Sequence, residues 1–259
     1  MPNLLAFEPV QILGFVIIFA RISGMMVSAP ILGDRNIPPQ VKIALTFILA
    51  LVFYPVLTAP KIPLNPDLFY IVRLMALEVG VGVLIGFSAR IVLAGVSMAG
   101  EIVGFQMGLG FANIVDPVSQ QNTSLIGQIQ VTFALLLLVV MDGHHLFINA
   151  VAGSYTLIPP GGLELTRPLF DNLVRLGGGI FVLSLQIGAP LIVALMAANL
   201  AIGLMARSVP QLNVIVVGFP FTIGMGLILL TLSFPFFIEA VAALHNQLEG
   251  IVRMVLRNG

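Results

Sequence analysis

Four ionisable side chains sit where an apolar sequence should not hold them. Arg21, Glu78, Arg90 and Glu101 lie inside otherwise hydrophobic stretches, and a charge at the centre of a membrane helix costs about 2.5–3.5 kcal/mol on insertion scales. Such residues pair with one another or face enclosed water. Two chemistries follow: a structural ion pair, which is the favoured reading, and a relay for protons or ions. Arg90 and Glu101 share a helical face but stand about 16 Å apart along the axis, so their partners must come from other segments or other chains.

The stretch QMGLGFANIVDPVSQQNTSLIGQIQ, from Gln106 to Gln130, offers a second kind of chemistry. Its amides Gln106, Asn113, Gln120, Gln121, Asn122, Gln128 and Gln130 interleave with bulky Phe111, Ile114 and Val115, and Asp116-Pro117 favours a turn. Irregular backbone cannot face lipid, so this segment either lines or blocks a water-filled cavity or forms an ordinary exposed loop. Just before it, Gly100, Gly104 and Gly108 make a GxxxGxxxG stripe, and Gly82 with Gly86 makes a shorter pair. Spacing of four puts small residues on one helix face for close backbone approach, within the chain or against another subunit.

Asp142-Gly143-His144-His145 groups three potential metal ligands. Adjacent residues on a helix diverge and no second cluster lies nearby in sequence, so the expectation is an interfacial turn, with no metal and no cofactor. Enzyme signatures are missing as well. GVSMAG at 95–100 is not a GxSxG elbow, and the chain contains neither HExxH nor GxxxxGK[ST]. The absence of cysteine excludes a disulfide scaffold, a thiolate metal site and a cysteine nucleophile.

The elements that position these residues are set by composition. The 259 residues are 59% hydrophobic and 8% charged, with a mean hydropathy of +1.11, against about 25% charged in soluble domains. An all-α membrane protein follows, with lipid as a partner; eleven basic and eleven acidic residues give no reason to expect nucleic acid. Hydrophobic segments fall near 10–32, 41–58, 71–110, 124–158, 176–206 and 208–243. If all six spanned, basic residues would number six on the side of the termini and three on the other, favouring cytoplasmic termini. Leu176–Ala206 and Ser208–Ile238 carry no formal charge but hold Pro190, Pro210, Pro220 and Pro235, and they read as broken helices covered by neighbouring protein. The connector at 159–168, PPGGLELTRP, reads as exposed.

Taken in order, ARISGMMVSAPILGDRNIPPQVKIAL (20–45), AGEIVGFQMGLGFANIVDP (99–117), DGHHLFINAVAGSYTLIP (142–159) and RSVPQLNVIVVGFP (207–220) closely resemble the FliR family of flagellar biosynthetic proteins. The similarity covers nearly the whole chain. It implies kinked helical hairpins packed in a hetero-oligomeric type III export gate with FliP and FliQ, beside FlhB and FlhA, in the bacterial inner membrane at the flagellar basal body. Residues 1–259 would form one membrane-embedded unit, FliP-like to about 175 and a FliQ-like hairpin from about 176. The gate would pass unfolded flagellar substrates without enzymatic chemistry of its own. Phe111, Ala112, Asn113, Ile114, Val115, Asp116 and Pro117 match the family's pore plug, with Gln106, Met107, Gln120, Gln121 and Asn122 lining the pore or supporting the plug. Two other classes compete: a small-solute secondary transporter built on broken helices, and a membrane scaffold that never lines a pore.

Overall fold

The computed structural model describes residues 9–55, 67–110, 124–209 and 214–257, and all regular structure among them is helical. The helices are α1 (Pro9–Ser28), α2 (Pro39–Phe53), α3 (Leu68–Gln106), α4 (Leu125–Val140), α5 (Gly143–Leu157), α6 (Arg167–Ser208) and α7 (Val214–Arg257). Local sequence explains their ends. Pro39 opens α2, where a missing N–H removes no helix bond. Ser124 caps α4 by accepting from the Gly127 N–H at 3.5 Å. Asp142 takes a left-handed conformation, φ 57°, between α4 and α5.

The prolines do not divide the long apolar runs. Pro190 lies within the 42 residues of α6, and Pro220 and Pro235 lie within the 44 residues of α7. A proline deletes one hydrogen bond, and the turns on either side carry the helix through it. Pro210 falls outside the described residues. By length and composition, segments Gln11–Ser28, Leu68–Gln106, Arg167–Ser208 and Val216–Pro235 can each cross a membrane, and a fifth span arises if α4 and α5 count as one. Helix α2, with 15 residues, falls short of the roughly 20 needed. The described helices therefore supply fewer spans than the six assumed for the charge count.

The chain forms two compact units. The first comprises Met1–Arg90, Asp142–Leu176 and His245–Gly259; the second comprises Ile91–Met141 and Gly177–Leu244. In the first unit, α1 lies directly on α3. A side chain at Gly82 would strike the Arg21 carbonyl, and one at Gly86 would strike Ser28 Oγ. Ile17, Ile22, Met25 and Met26 of α1 and Val81 and Ile85 of α3 are buried. Phe15 of α1 meets Phe47 of α2 edge-on, with ring centroids 5.4 Å apart. In the second unit, Gly100 of α3 lies against the backbone of Gly127 in α4, and Val103, Met107, Ile126, Leu191 and Leu195 form the core.

Candidate functional site

Among the four intramembrane charges, two form a closed pair inside the first unit. Arg21 and Glu78 are 0% and 1% exposed. Arg21 donates from Nε to Glu78 Oε2 at 2.8 Å and from Nη2 to Oε1 at 3.1 Å, the two-pronged geometry that suits a guanidinium and a carboxylate. Its Nη1 donates to Ser154 Oγ at 3.0 Å and to the Ile158 carbonyl at 3.1 Å, and its guanidinium carbon stands 3.9 Å from the centre of the Tyr155 ring. Glu78 Oε1 also accepts from the Gly161 N–H at 2.8 Å. Burial of two charges becomes tolerable only when attraction and extra hydrogen bonds offset desolvation, and here both are supplied. The arrangement holds α1, α3, α5 and the turn after α5 together; it has the form of a structural lock.

That turn lies in a connector that is mostly exposed, as its composition suggests, with Leu163 the buried exception. Gly161 adopts φ +75°, and a side chain there would meet Leu74 Cδ1 at 2.7 Å, while Ile158 and Leu163 are buried. The partners Ser154, Tyr155 and Gly161 escaped the sequence reading. The only cue was the PPGG turn beside a helix ending in Ser-Tyr-Thr-Leu.

Arg90 and Glu101 occupy different settings. Exposed Arg90 donates from Nη2 to the Val27 carbonyl at 3.2 Å, and exposed Glu101 accepts from Ser97 Oγ one helical turn earlier at 3.2 Å. Neither is sealed from its surroundings as Arg21 and Glu78 are.

In the second unit the structure builds a clasp around the end of α3. A helix leaves its last carbonyls without intrahelical donors, and here two side chains from distant helices reach them. Asn199 of α6 donates from Nδ2 to the Gln106 carbonyl at 3.2 Å. Buried Thr222 of α7 donates from Oγ1 to the Met107 carbonyl at 2.9 Å. The Met107 side chain is fully buried and fills the space left open at Gly226, whose added Cβ would lie 2.5–2.7 Å from its Cγ, Sδ and Cε atoms. Gly108 follows with φ +87° and packs on the Phe219 ring, so it ends α3 as a left-handed glycine. Gly100 and Gly104 do serve close packing, against Gly127 of α4 and its cap Ser124. A cavity of about 250 Å³ opens elsewhere in this unit, between α4, α6 and α7, and is lined mainly by Phe133, Ile187, Pro190, Leu230, Phe234 and Phe237.

Gln106 and Met107 thus belong to this clasp; of its other members, Phe219 falls within the 207–220 block and Gly226 is a glycine within an apolar run, whereas Asn199 and Thr222 lay unmarked in the sequence. Phe111 to Pro117, with Gln120, Gln121 and Asn122, lie outside the described residues. The Asp142, His144 and His145 side chains converge more closely than adjacent helix positions suggest, with ligand atoms within 4.8 Å of one another. Asp142 and His145 are exposed and His144 is half-buried, as on a surface turn.

Comparison with known proteins adds a separate line of evidence. Residues 12–248 match the family described as bacterial export proteins, family 1. The chain is 33% identical over 236 residues to the flagellar biosynthetic protein FliR of Escherichia coli (strain K12), a match covering 91% of this chain and 90% of that protein. It is 35% identical over 220 residues to the FliR protein of Pectobacterium carotovorum subsp. carotovorum, covering 84% and 82%. For the FliR protein of Bacillus subtilis (strain 168) the identity is 34% over 222 residues, covering 83% and 84%.

Proposed function

The chain belongs to the FliR family of bacterial export proteins, and from that membership we propose that it is a pore-forming subunit of the flagellar type III export gate. The observation that carries this reading is the family match across residues 12–248, which takes in each of the segments that could line or close a passage. Long apolar helices support residence in the bacterial inner membrane, and the proposed site there is the flagellar basal body. Broad exposed apolar faces on α6 and α7, including Phe181, Val193, Leu200, Val216, Phe221 and Ile228, are suited to lipid and to neighbouring subunits.

In this reading FliP and FliQ complete the pore and FlhA and FlhB stand beside it. Residues to about 175 play the FliP-like part, and those from about 176 form the FliQ-like hairpin. Unfolded flagellar subunits are the cargo. Transport of this kind requires a path wide enough for an extended chain and an obstruction that holds back small solutes at rest. Phe111, Ile114 and Val115 supply bulk for that obstruction, and the neighbouring amides solvate it when it moves aside. No bond in the cargo is made or broken, so the role requires no catalytic residue in this chain.

The decisive experiment deletes Phe111–Pro117 in cells expressing the tagged FliP, FliQ and FliR-family subunits together. The complex should still co-purify while the inner membrane becomes permeable to small solutes. An assembled complex with unchanged permeability would refute the plug, and failure to recover FliP and FliQ with the intact chain would refute the gate itself.

A further inference from the structure

We propose that Thr222, assisted by Asn199, is a positioning residue that mounts the end of α3 in the closed export path and can release it reversibly. The proposal rests on the reading above that Phe111–Pro117 obstructs the path, because that stretch follows the clasped residues directly in the chain. The clasp itself consists wholly of described residues.

Thr222 has one hydroxyl proton and three carbonyls in reach: Met107 at 2.9 Å, and Gly218 and Phe219 of its own helix at 3.1 Å each. It can donate to only one at a time. The shortest contact is the tertiary one. The other two are the ordinary back-bonds of a helical threonine. If the end of α3 withdraws, the proton therefore keeps an acceptor within α7, and the freed Met107 carbonyl is the group that must find water or another donor. A latch whose hydroxyl is satisfied both closed and open can be released without leaving a buried donor orphaned, which is the property a resting obstruction needs. Met107 is suited to the same cycle: its unbranched thioether fills the recess at Gly226 and can leave it by rotation about several bonds. Asn199 reinforces the closed position from α6 through the Gln106 carbonyl at 3.2 Å, the longer of the two tertiary bonds.

Because the chain has no cysteine, a single Leu109→Cys reports directly on the clasped end. Leu109 is partly buried against the unit's core. In membranes holding the assembled complex, Thr222→Val should speed labelling of that cysteine by a water-soluble maleimide about tenfold, and Asn199→Leu about twofold to threefold, on the scale of losing one buried or one exposed hydrogen bond. Thr222→Ser keeps the hydroxyl and should label at the parental rate. Gly226→Ala should act like Thr222→Val by displacing Met107 while leaving both donors in place. Resting permeability to small solutes should rise with Thr222→Val and stay low with Thr222→Ser.

Unchanged labelling in an assembled Thr222→Val complex would overturn the proposal, as would equal acceleration by valine and serine. If Thr222→Val does not assemble, the surface variant Asn199→Leu decides by the same labelling measurement. Permeability raised by deleting Phe111–Pro117 but not by the clasp variants refutes the latch and leaves the plug standing. Faster labelling without a permeability change in either the variants or the deletion refutes the plug reading, and with it the latch's role in closure.

Discussion

Three glycines where α1 meets α3 in the first unit and five on α6 and α7 in the second solve different problems with the same residue. At Gly24, Gly82 and Gly86 the missing side chain admits the backbone of a neighbouring helix from the same chain: Val79, Arg21 and Ser28–Ala29 stand where a Cβ would go. At Gly177, Gly178, Gly179, Gly203 and Gly224 no described atom outside the local helix backbone lies within 4 Å of that position. Glycine in a helix costs about 0.5–1 kcal/mol relative to alanine. In the first unit that cost is offset by close intramolecular packing around the buried Arg21–Glu78 pair. At these five positions on α6 and α7 no described contact of this chain offsets it, which is what a surface reserved for other helices of an assembly requires. Close packing through small residues is completed at the first set of glycines and left open at the second.

The largest predicted effect tests the completed half. Arg21→Met should lower the stability of the purified chain by about 3–5 kcal/mol, because it strands Glu78 as an unpaired buried carboxylate. The double variant Arg21→Met/Glu78→Leu should recover much of that loss in thermal unfolding in detergent. A double variant as unstable as the single one would assign the effect to packing around Arg21 rather than to charge. Next in size, Gly82→Val and Gly100→Val should each cost about 1–3 kcal/mol by forcing helices apart, read as a lower unfolding temperature and reduced accumulation without partners.

The open half predicts the reverse sign. Gly178→Ala and Gly203→Ala should stabilise the isolated chain by about 0.5–1 kcal/mol each, yet reduce its recovery with co-expressed FliP and FliQ. Stabilisation with undiminished recovery would remove the case for a reserved surface. A last substitution sharpens the boundary of the comparison. Gly153, in α5 of the first unit, also has open space around it, so Gly153→Ala should stabilise the chain within the same range. Its effect on recovery tells whether the reserved surface extends beyond α6 and α7.

Much of this architecture is legible from one-dimensional information, and particular residues show where that stops. The apolar runs marked the helices because burial in lipid requires length and hydrophobicity alone. Arg21 and Glu78 stood out because a charge in an apolar run is costly wherever it lies. Their pairing was not legible: they are 57 positions apart, and Arg90 and Glu101 offered the same signs of charge. Gly108 looked like the third member of a stripe, since periodicity carries no mark of where a helix ends. Asn199 and Thr222 carried no signal, because a polar residue in a helix usually bonds within its own turn, and only the approach of α3 gives their protons a distant acceptor.

The sequence by itself determined the solvent, the helical class and the family, all of which depend on composition or on ordered blocks of residues read along the chain. Tertiary structure decided which charge meets which, which glycines are filled, and what holds the end of α3. Those are contacts across 57 positions between Arg21 and Glu78, 133 between Arg21 and Ser154, and 115 between Thr222 and Met107. Local periodicity orients a side chain about its own helix axis, but which partner it meets is fixed only when the helices pack.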